Sequence, residues 1–247
     1  MYPLLNTKLE AIQYTAVSLL KMIRLKLPEY DKLRSDFKLK DDNSIVTQAD
    51  LEINSLAIEE IRSTLLINDR EAKFNVISEE QEYDSTVDYN IGYTLIIDPI
   101  DGTENFFSGM KEWGVCISIY KDGKHWYSTI LLPDLNILID SEIKIQRFEN
   151  SRIVGLSSSL TAEDLAKVME DKTDDEEYRI IGCAAYNLYS YITGAYKKFI
   201  NVKGVNTWDV SAGLNIMLAN KLHPVVNDRL YMGELLLPTK KYKLHLS

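Results

Sequence analysis

The chain has 247 residues, 45% of them hydrophobic, which suffices for one large domain or two that share an interface and leaves no disordered half. Its net charge of -9 argues against a nucleic-acid surface, which needs a clustered excess of Lys and Arg, so an anionic substrate must be met through cations. Cys116 and Cys183 stand far apart without a partner motif, which argues against a disulfide framework or a zinc site and fits a reducing, cytoplasmic setting. No basic region followed by an apolar core opens the chain, and no apolar run approaches the ~18 residues of a membrane span, so no membrane partner is expected.

In chain order, Leu9, Ile12, Ala16, Leu19, Ile23 and Leu27 keep helical spacing, and Pro28 predicts a stop. The polar segment 29–42 reads as a connection. Ser44-Ile45-Val46-Thr47 leads into a second helix through Ile53, Leu56, Ile61 and Leu65, with Asp50 in its first turn. A short strand at 74–77 delivers Ser78-Glu79-Glu80 at its end. The β-branched and aromatic run 93–97 predicts a buried strand that stops at Asp98, because Pro99 cannot donate to a ladder. From there Asp101-Gly102-Thr103 can turn into the first turn of a helix, whose unpaired N–H groups suit a phosphate. Two hard carboxylates beside a phosphate cradle imply an ion of the Mg²⁺ type.

Hairpin patterns follow at 115–120, 126–132 and 137–140, joined by Lys121-Asp122-Gly123-Lys124 and by a turn around Pro133-Asp134. A composition break near residue 150 divides the chain into 1–150, which carries the acidic loops, and 151–247, which closes over them. The second part reads as a strand at 152–156, a helix starting at Thr161 or a preceding serine, and a strand at 178–181. A helix from Ala184 to about Lys198, a strand at 199–202 and a helix opened by Trp208-Asp209-Val210-Ser211-Ala212-Gly213 complete it. The whole is a layered α+β pattern, an antiparallel sheet first and a smaller α/β part after it, without internal repeats.

Taken singly, the acids are unremarkable: Glu79-Glu80 reads as a solvated strand end, Asp50 as a carboxylate favoured by a helix dipole, and Asp209 as an N-cap candidate. His125, His223 and His245 lie in no motif and read as surface or satisfied core residues, and Tyr186, Tyr189 and Tyr196 read as packing. Together, however, "VTQAD" at 46–50, "SEE" at 78–80, "DPIDGTENF" at 98–106 and "WDVSAG" at 208–213 resemble the inositol monophosphatase family of Mg²⁺-dependent, lithium-sensitive phosphatases. That family includes fructose-1,6-bisphosphatases and 3'(2'),5'-bisphosphate nucleotidases.

The resemblance implies an α-β-α-β-α sandwich of the sugar phosphatase type, a homodimer, and two to three Mg²⁺ ions. It assigns Glu79, Asp98 and the carbonyl of Ile100 to one ion, and Asp98, Asp101 and Asp209 to a second. Glu79 would also serve a third, with Asp50 and Glu80 in or near its shell. It further implies that Thr103, with Glu79 and Asp50, handles the attacking water and that the N–H groups of Gly102 and Thr103 bind phosphate oxygens. Lys40 lies at about the distance before Asp50 where the family often has a lysine. Metal-activated water attacking phosphorus directly needs no phospho-enzyme, and no nucleophile motif is present.

On the substrate side the resemblance points to Gly182, Cys183 and Ala184, to Asp209, and by position to Ser157 or Ser158. Inositol-selective members carry a glutamate seven residues before the aspartate of the "WD" block, where this chain has Val202. The acidic Gly-Gly turn expected after Gly213 is replaced by Leu218-Ala219-Asn220-Lys221-Leu222-His223-Pro224, and Glu104 stands where many inositol monophosphatases have Thr and the nucleotidases tend to have Lys. The expectation is therefore a phosphomonoesterase for an inositol-1-phosphate-like polyol phosphate with a permissive pocket at Val202. Bisphosphate nucleotidase and fructose-1,6-bisphosphatase readings follow, and a non-enzymatic RNA-polymerase-associated factor is the alternative of another class.

Overall fold

The computed structural model describes residues 7–40, 45–67 and 69–247. The first helix, α1 (Lys8–Leu33), begins with a reciprocal cap: Glu10 N donates to Thr7 Oγ1 and Thr7 N donates to the Glu10 carboxylate, both at 3.1 Å. It does not stop at Pro28. Proline removes one helical hydrogen bond, but Tyr30, one turn from Leu27, is fully buried and continues the apolar stripe, so packing overrides the local break. The segment 29–42 is accordingly not one connection: after α1 comes β1 (Phe37–Leu39), paired antiparallel with β2 (Ile45–Thr47). Ser44 and Asp42 lie outside the described residues.

Next come α2 (Gln48–Leu66), β3 (Phe74–Ser78) and β4 (Tyr93–Asp101). Contrary to expectation, β4 runs through Pro99. Its pairing slips between Asp98 and Asp101, and the missing Pro99 N–H falls within that slip, where no ladder partner is required. A short helix α3 (Thr103–Phe107) follows, then β5 (Gly114–Lys121), β6 (Lys124–Leu132) and β7 (Ile137–Asp140). The β5–β6 turn puts Asp122 and Gly123 at φ 49 and 73°, the left-handed pair that a tight hairpin favours. The five strands order as β3-β4-β5-β6-β7, with β3 parallel to β4 and the rest antiparallel.

The second half contains β8 (Ile153–Leu156), α4 (Ala162–Glu170) capped by Thr161, β9 (Glu177–Ile180) and α5 (Ala184–Ile192). α5 ends at Ile192 rather than near Lys198, because Gly194 takes φ +79° where a Cβ would lie 2.1 Å from the Phe148 carbonyl oxygen. Then follow β10 (Lys198–Val205), α6 (Thr207–Ala219), β11 (Val225–Val226), β12 (Arg229–Leu230) and β13 (Tyr242–Leu246). The second sheet orders as β12-β11-β13-β10-β8-β9, parallel across β10, β8 and β9 and antiparallel elsewhere.

These elements stack in five layers. α1 and α2 cover one face of the first sheet with a core that includes Leu19, Ile23, Ile53 and Ile117. α5 and α6 lie between the sheets: α6 packs on β5 and β6, and α5 packs on α6 and β10. α4 closes the far face through Leu165 and Val168 against Val154 and Leu156. No helix among the described residues is long and apolar enough to cross a membrane.

Candidate active site

The acidic loops meet where the carboxyl ends of β3 and β4 face the start of α6. One carboxylate oxygen from each of Glu79, Asp98 and Asp209 lies within 4.8 Å of the others. β3 delivers Glu79, the slip in β4 swings Asp98 and Asp101 inward, and Asp209 stands at the third position of α6. There its Oδ2 accepts from Asn206 N at 2.7 Å, so the residue that closes the helix cap also enters the cluster.

Asp98 is the most constrained of them. Its Oδ1 accepts from Ile100 N at 3.1 Å, whereas its Oδ2 is buried with no hydrogen-bond partner. Burial, and then Glu79, Asp101 and Asp209, push its carboxyl well above the usual carboxylate range. Asp209 is raised in the same direction, first by burial and then by Asp101 and Glu79. Asp101 is pushed up to about 6 by burial, although its Oδ2 accepts from Ala185 N and from Cys183 Sγ at the start of α5. A buried acceptor left empty among like charges is costly, and a hard cation with oxygen ligands removes that cost.

Gly102 makes the turn possible. It takes φ +82°, and a Cβ there would sit 2.9 Å from Cys183 Cβ, so only glycine lets α5 approach the loop this closely. Phe106 N donates to Gly102 O at 2.9 Å to close the first turn of α3. Thr103 Oγ1 lies 2.9 Å from the Ile100 carbonyl and 3.4 Å from Asp50 Oδ1. Asp50 is in turn fixed by Thr47, whose N and Oγ1 donate to its Oδ2 at 2.7 and 2.6 Å, and burial raises its carboxyl to about 6. Glu80 stands apart from the three clustered acids: Lys40 Nζ donates to Glu80 Oε1 at 2.8 Å and to Glu79 Oε1 at 2.9 Å. Burial would lower the Lys40 pKa, but the two glutamates hold it above its ordinary value.

The acids floor a cleft of about 290 Å³, the scale of a small-metabolite site. Ser157, Gly182, Ala184, Gly102, Thr103 and Asp209 all line it. Val202 does not. It is 39% exposed and lines a separate surface groove with Lys167, Lys203 and Lys243. Alternation along β10 turns its neighbour Asn201 inward instead, and Asn201 Oδ1 accepts from Gly204 N at 2.8 Å across the irregular stretch between Asn201 and Val205. Sequence reasoning missed several lining residues, among them Asn201, Asn187 on α5 and Lys241 just before β13. Asn187 was the legible one, a polar residue at 2% exposure on an apolar helix, with an Oδ1 that no partner satisfies. His125 lies away from the cleft beside Ser128 Oγ at 2.9 Å, and burial lowers its pKa to about 4.

Comparison with known proteins identifies the family and the fold. Residues 5–219 match the model of the inositol monophosphatase family. A fructose-1,6-bisphosphatase/inositol-1-monophosphatase of Thermotoga maritima is 27% identical over 188 residues, 70% of this chain and 68% of that protein. Nus factor SuhB of Vibrio cholerae is 22% identical over 246 residues, covering 92% of this chain and 86% of the relative. A solved IMPase/NADP phosphatase complexed with Mg²⁺ and phosphate shares the fold with a TM-score of 0.74 at 19% identity, over 98% of this chain and 92% of that one.

Proposed function

The chain belongs to the inositol monophosphatase family of phosphoric monoester hydrolases, and from that premise we propose that it hydrolyses a small hydroxylated phosphate ester, a polyol or sugar phosphate, with Mg²⁺. The observation that carries the reading is Asp98 Oδ2, buried without a partner among Glu79 and Asp209. This all-oxygen donor set fits a hard divalent ion. Glu79, Asp98 and Asp209 would hold it, with Asp101 and the Ile100 carbonyl at its margin. When bound, Mg²⁺ supplies neutralisation of phosphoryl charge and acidification of water.

The chain's own residues do the rest. The N–H groups of Gly102 and Thr103 bind phosphate oxygens at a turn that leaves them without helical acceptors. Thr103 Oγ1 orients the attacking water and passes a proton toward Asp50, which at about 6 is ionised at neutral pH and can receive it. Water oxygen bonds to phosphorus, the P–O ester bond breaks, and the departing alkoxide takes a proton from solvent, to which Asp50 returns the one it received. Cys183 is no competing nucleophile, because burial and then Asp101 push its thiol well above its ordinary value. Asn187, Asn201 and Ser157 offer the hydroxyl partners that Val202 does not.

The test is a phosphate-release screen over inositol-1-phosphate, glycerol-2-phosphate, fructose-1,6-bisphosphate and 3'-phosphoadenosine 5'-phosphate. Turnover that needs Mg²⁺ and falls with Li⁺ is expected; undiminished turnover in EDTA overturns the reading.

A further inference from the structure

We propose that Lys241 makes the cleft select substrates that carry a second anionic group, phosphate or carboxylate, beside the phosphate that is cleaved; this rests on the phosphatase reading above. Lys241 belongs to the stretch beyond residue 219, where the family match ends. Among the described residues that line the cleft, it is the only basic one. Its Nζ donates to Asn206 Oδ1 at 2.7 Å, and among the described residues no carboxylate lies within ion-pair distance of it. A neutral amide fixes the ammonium without cancelling its charge. On the neighbouring strand β10 both lysines are neutralised, Lys203 by Asp164 at 2.9 Å and Lys198 by Glu176 at 2.7 Å.

The backbone around Lys241 is shaped to place its stem. Gly204 lies beneath it at φ +83°, and a Cβ there would be 2.9 Å from Lys241 Cβ. The register slip between Asn201 and Val205 opens this space, and the Asn201 side chain closes the loop on Gly204 N. An independent feature of the same cleft also calls for a ligand: the orphan Asn187 Oδ1, buried at 2% exposure, which a substrate hydroxyl would satisfy. With acids and their cation holding the scissile phosphate, a second anion has one complementary charge to meet on the wall built by β10 and the approach to β13. The substrate class is thus a hydroxylated small metabolite with two anionic groups.

The experiment compares fructose-1,6-bisphosphate with fructose-1-phosphate on the wild type, Lys241→Met and Lys241→Arg. It uses steady-state kinetics with Mg²⁺ and equilibrium binding by calorimetry with Ca²⁺ in its place. Lys241→Met is expected to cut kcat/KM for the bisphosphate by about 10- to 100-fold, chiefly through KM, and to change the monophosphate less than about threefold. Lys241→Arg restores most of the preference. An equal loss on both substrates at an unchanged melting temperature, or no loss on either, overturns the proposal. Failure of the phosphatase reading looks different: a wild type that hydrolyses neither ester yet binds the bisphosphate more tightly through Lys241 refutes that reading and retains this one.

Discussion

Asp98→Asn separates the chemical task of the acidic cluster from its structural cost. Carboxylate oxygens of Glu79, Asp98 and Asp209 lie within 4.8 Å of one another. At an effective dielectric of ~20, each like-charge pair at that distance opposes folding by about 3.5 kcal/mol. Burial first, and then this repulsion, holds Asp98 and Asp209 well above the carboxylate range, so the site avoids most of the cost by retaining protons. Asparagine keeps the Oδ1 acceptor for Ile100 N, removes the charge, and places a donor where Oδ2 now lacks a partner. A net gain of about 2 kcal/mol is expected, or ~4 to 8 °C in the metal-free melting temperature of a chain this long. Turnover should disappear, and so should the rise in melting temperature that Mg²⁺ gives the wild type. Differential scanning fluorimetry with and without Mg²⁺, alongside phosphate release, reads all three. A variant that melts no higher than the wild type without metal, or keeps more than about a tenth of kcat, a barrier change below ~1.4 kcal/mol, would refute the reasoning.

Thr103→Ala should lower kcat by ~100-fold or more with KM little changed, while Thr103→Ser, which keeps the hydroxyl between Ile100 and Asp50, should stay within about tenfold of wild type; stopped assays on any accepted substrate decide it. Val202→Glu should leave kcat/KM within about twofold on every substrate, since the side chain faces Lys167, Lys203 and Lys243 outside the cleft; a gain specific to inositol-1-phosphate would show that β10 had turned over. Burial raises Asp50 and Asp101 to about 6 from 3.8, so the folded chain binds more protons than the unfolded one between these values. Their stabilising contribution is therefore present below pH ~4 and lost as pH rises toward ~6. The metal-free melting temperature should carry a downward component across that window, and the Mg²⁺-induced rise should be larger near pH 7.5 than near pH 5; the reverse order in a buffered melting series would contradict it.

Much of the architecture was legible because local pattern and tertiary demand agreed. The apolar spacing of Ile53, Ile61 and Leu65 and the Asp122-Gly123 turn led to elements the structure contains. Proline misled twice. Pro28 sits in a helix that Tyr30 holds to the core, and Pro99 sits in a strand whose slip excuses its missing donor. Neither compensation is local, so neither could be read from the proline and its neighbours. The cluster of Glu79, Asp98 and Asp209 could be suspected only from blocks taken together, since no single acid announces itself. The substrate side was less legible. Whether Val202 or Asn201 faces inward depends on the register of β10 against β13, and nothing in residues 199–205 states that partner or its register. Lys241 enters the cleft from 32 residues beyond Asp209, in a stretch where no element had been anticipated.

The place of β13 inside the second sheet has a consequence for the integrity of the molecule. It is hydrogen-bonded on one side by β10 and on the other by β11, although α6 and two short strands separate it from β10 in the chain. A cut between the exposed Met232 and β13 would leave two raw ladders facing solvent, one of them on β10 with Phe199 beside it. Bare ladders recruit strands from other molecules, so the expected product of such clipping is an aggregate rather than a soluble fragment. Lys241 immediately precedes β13, so the strand that joins β10 to β11 also brings the basic corner of the cleft. Completion of the sheet and acquisition of substrate preference are then one and the same assembly event.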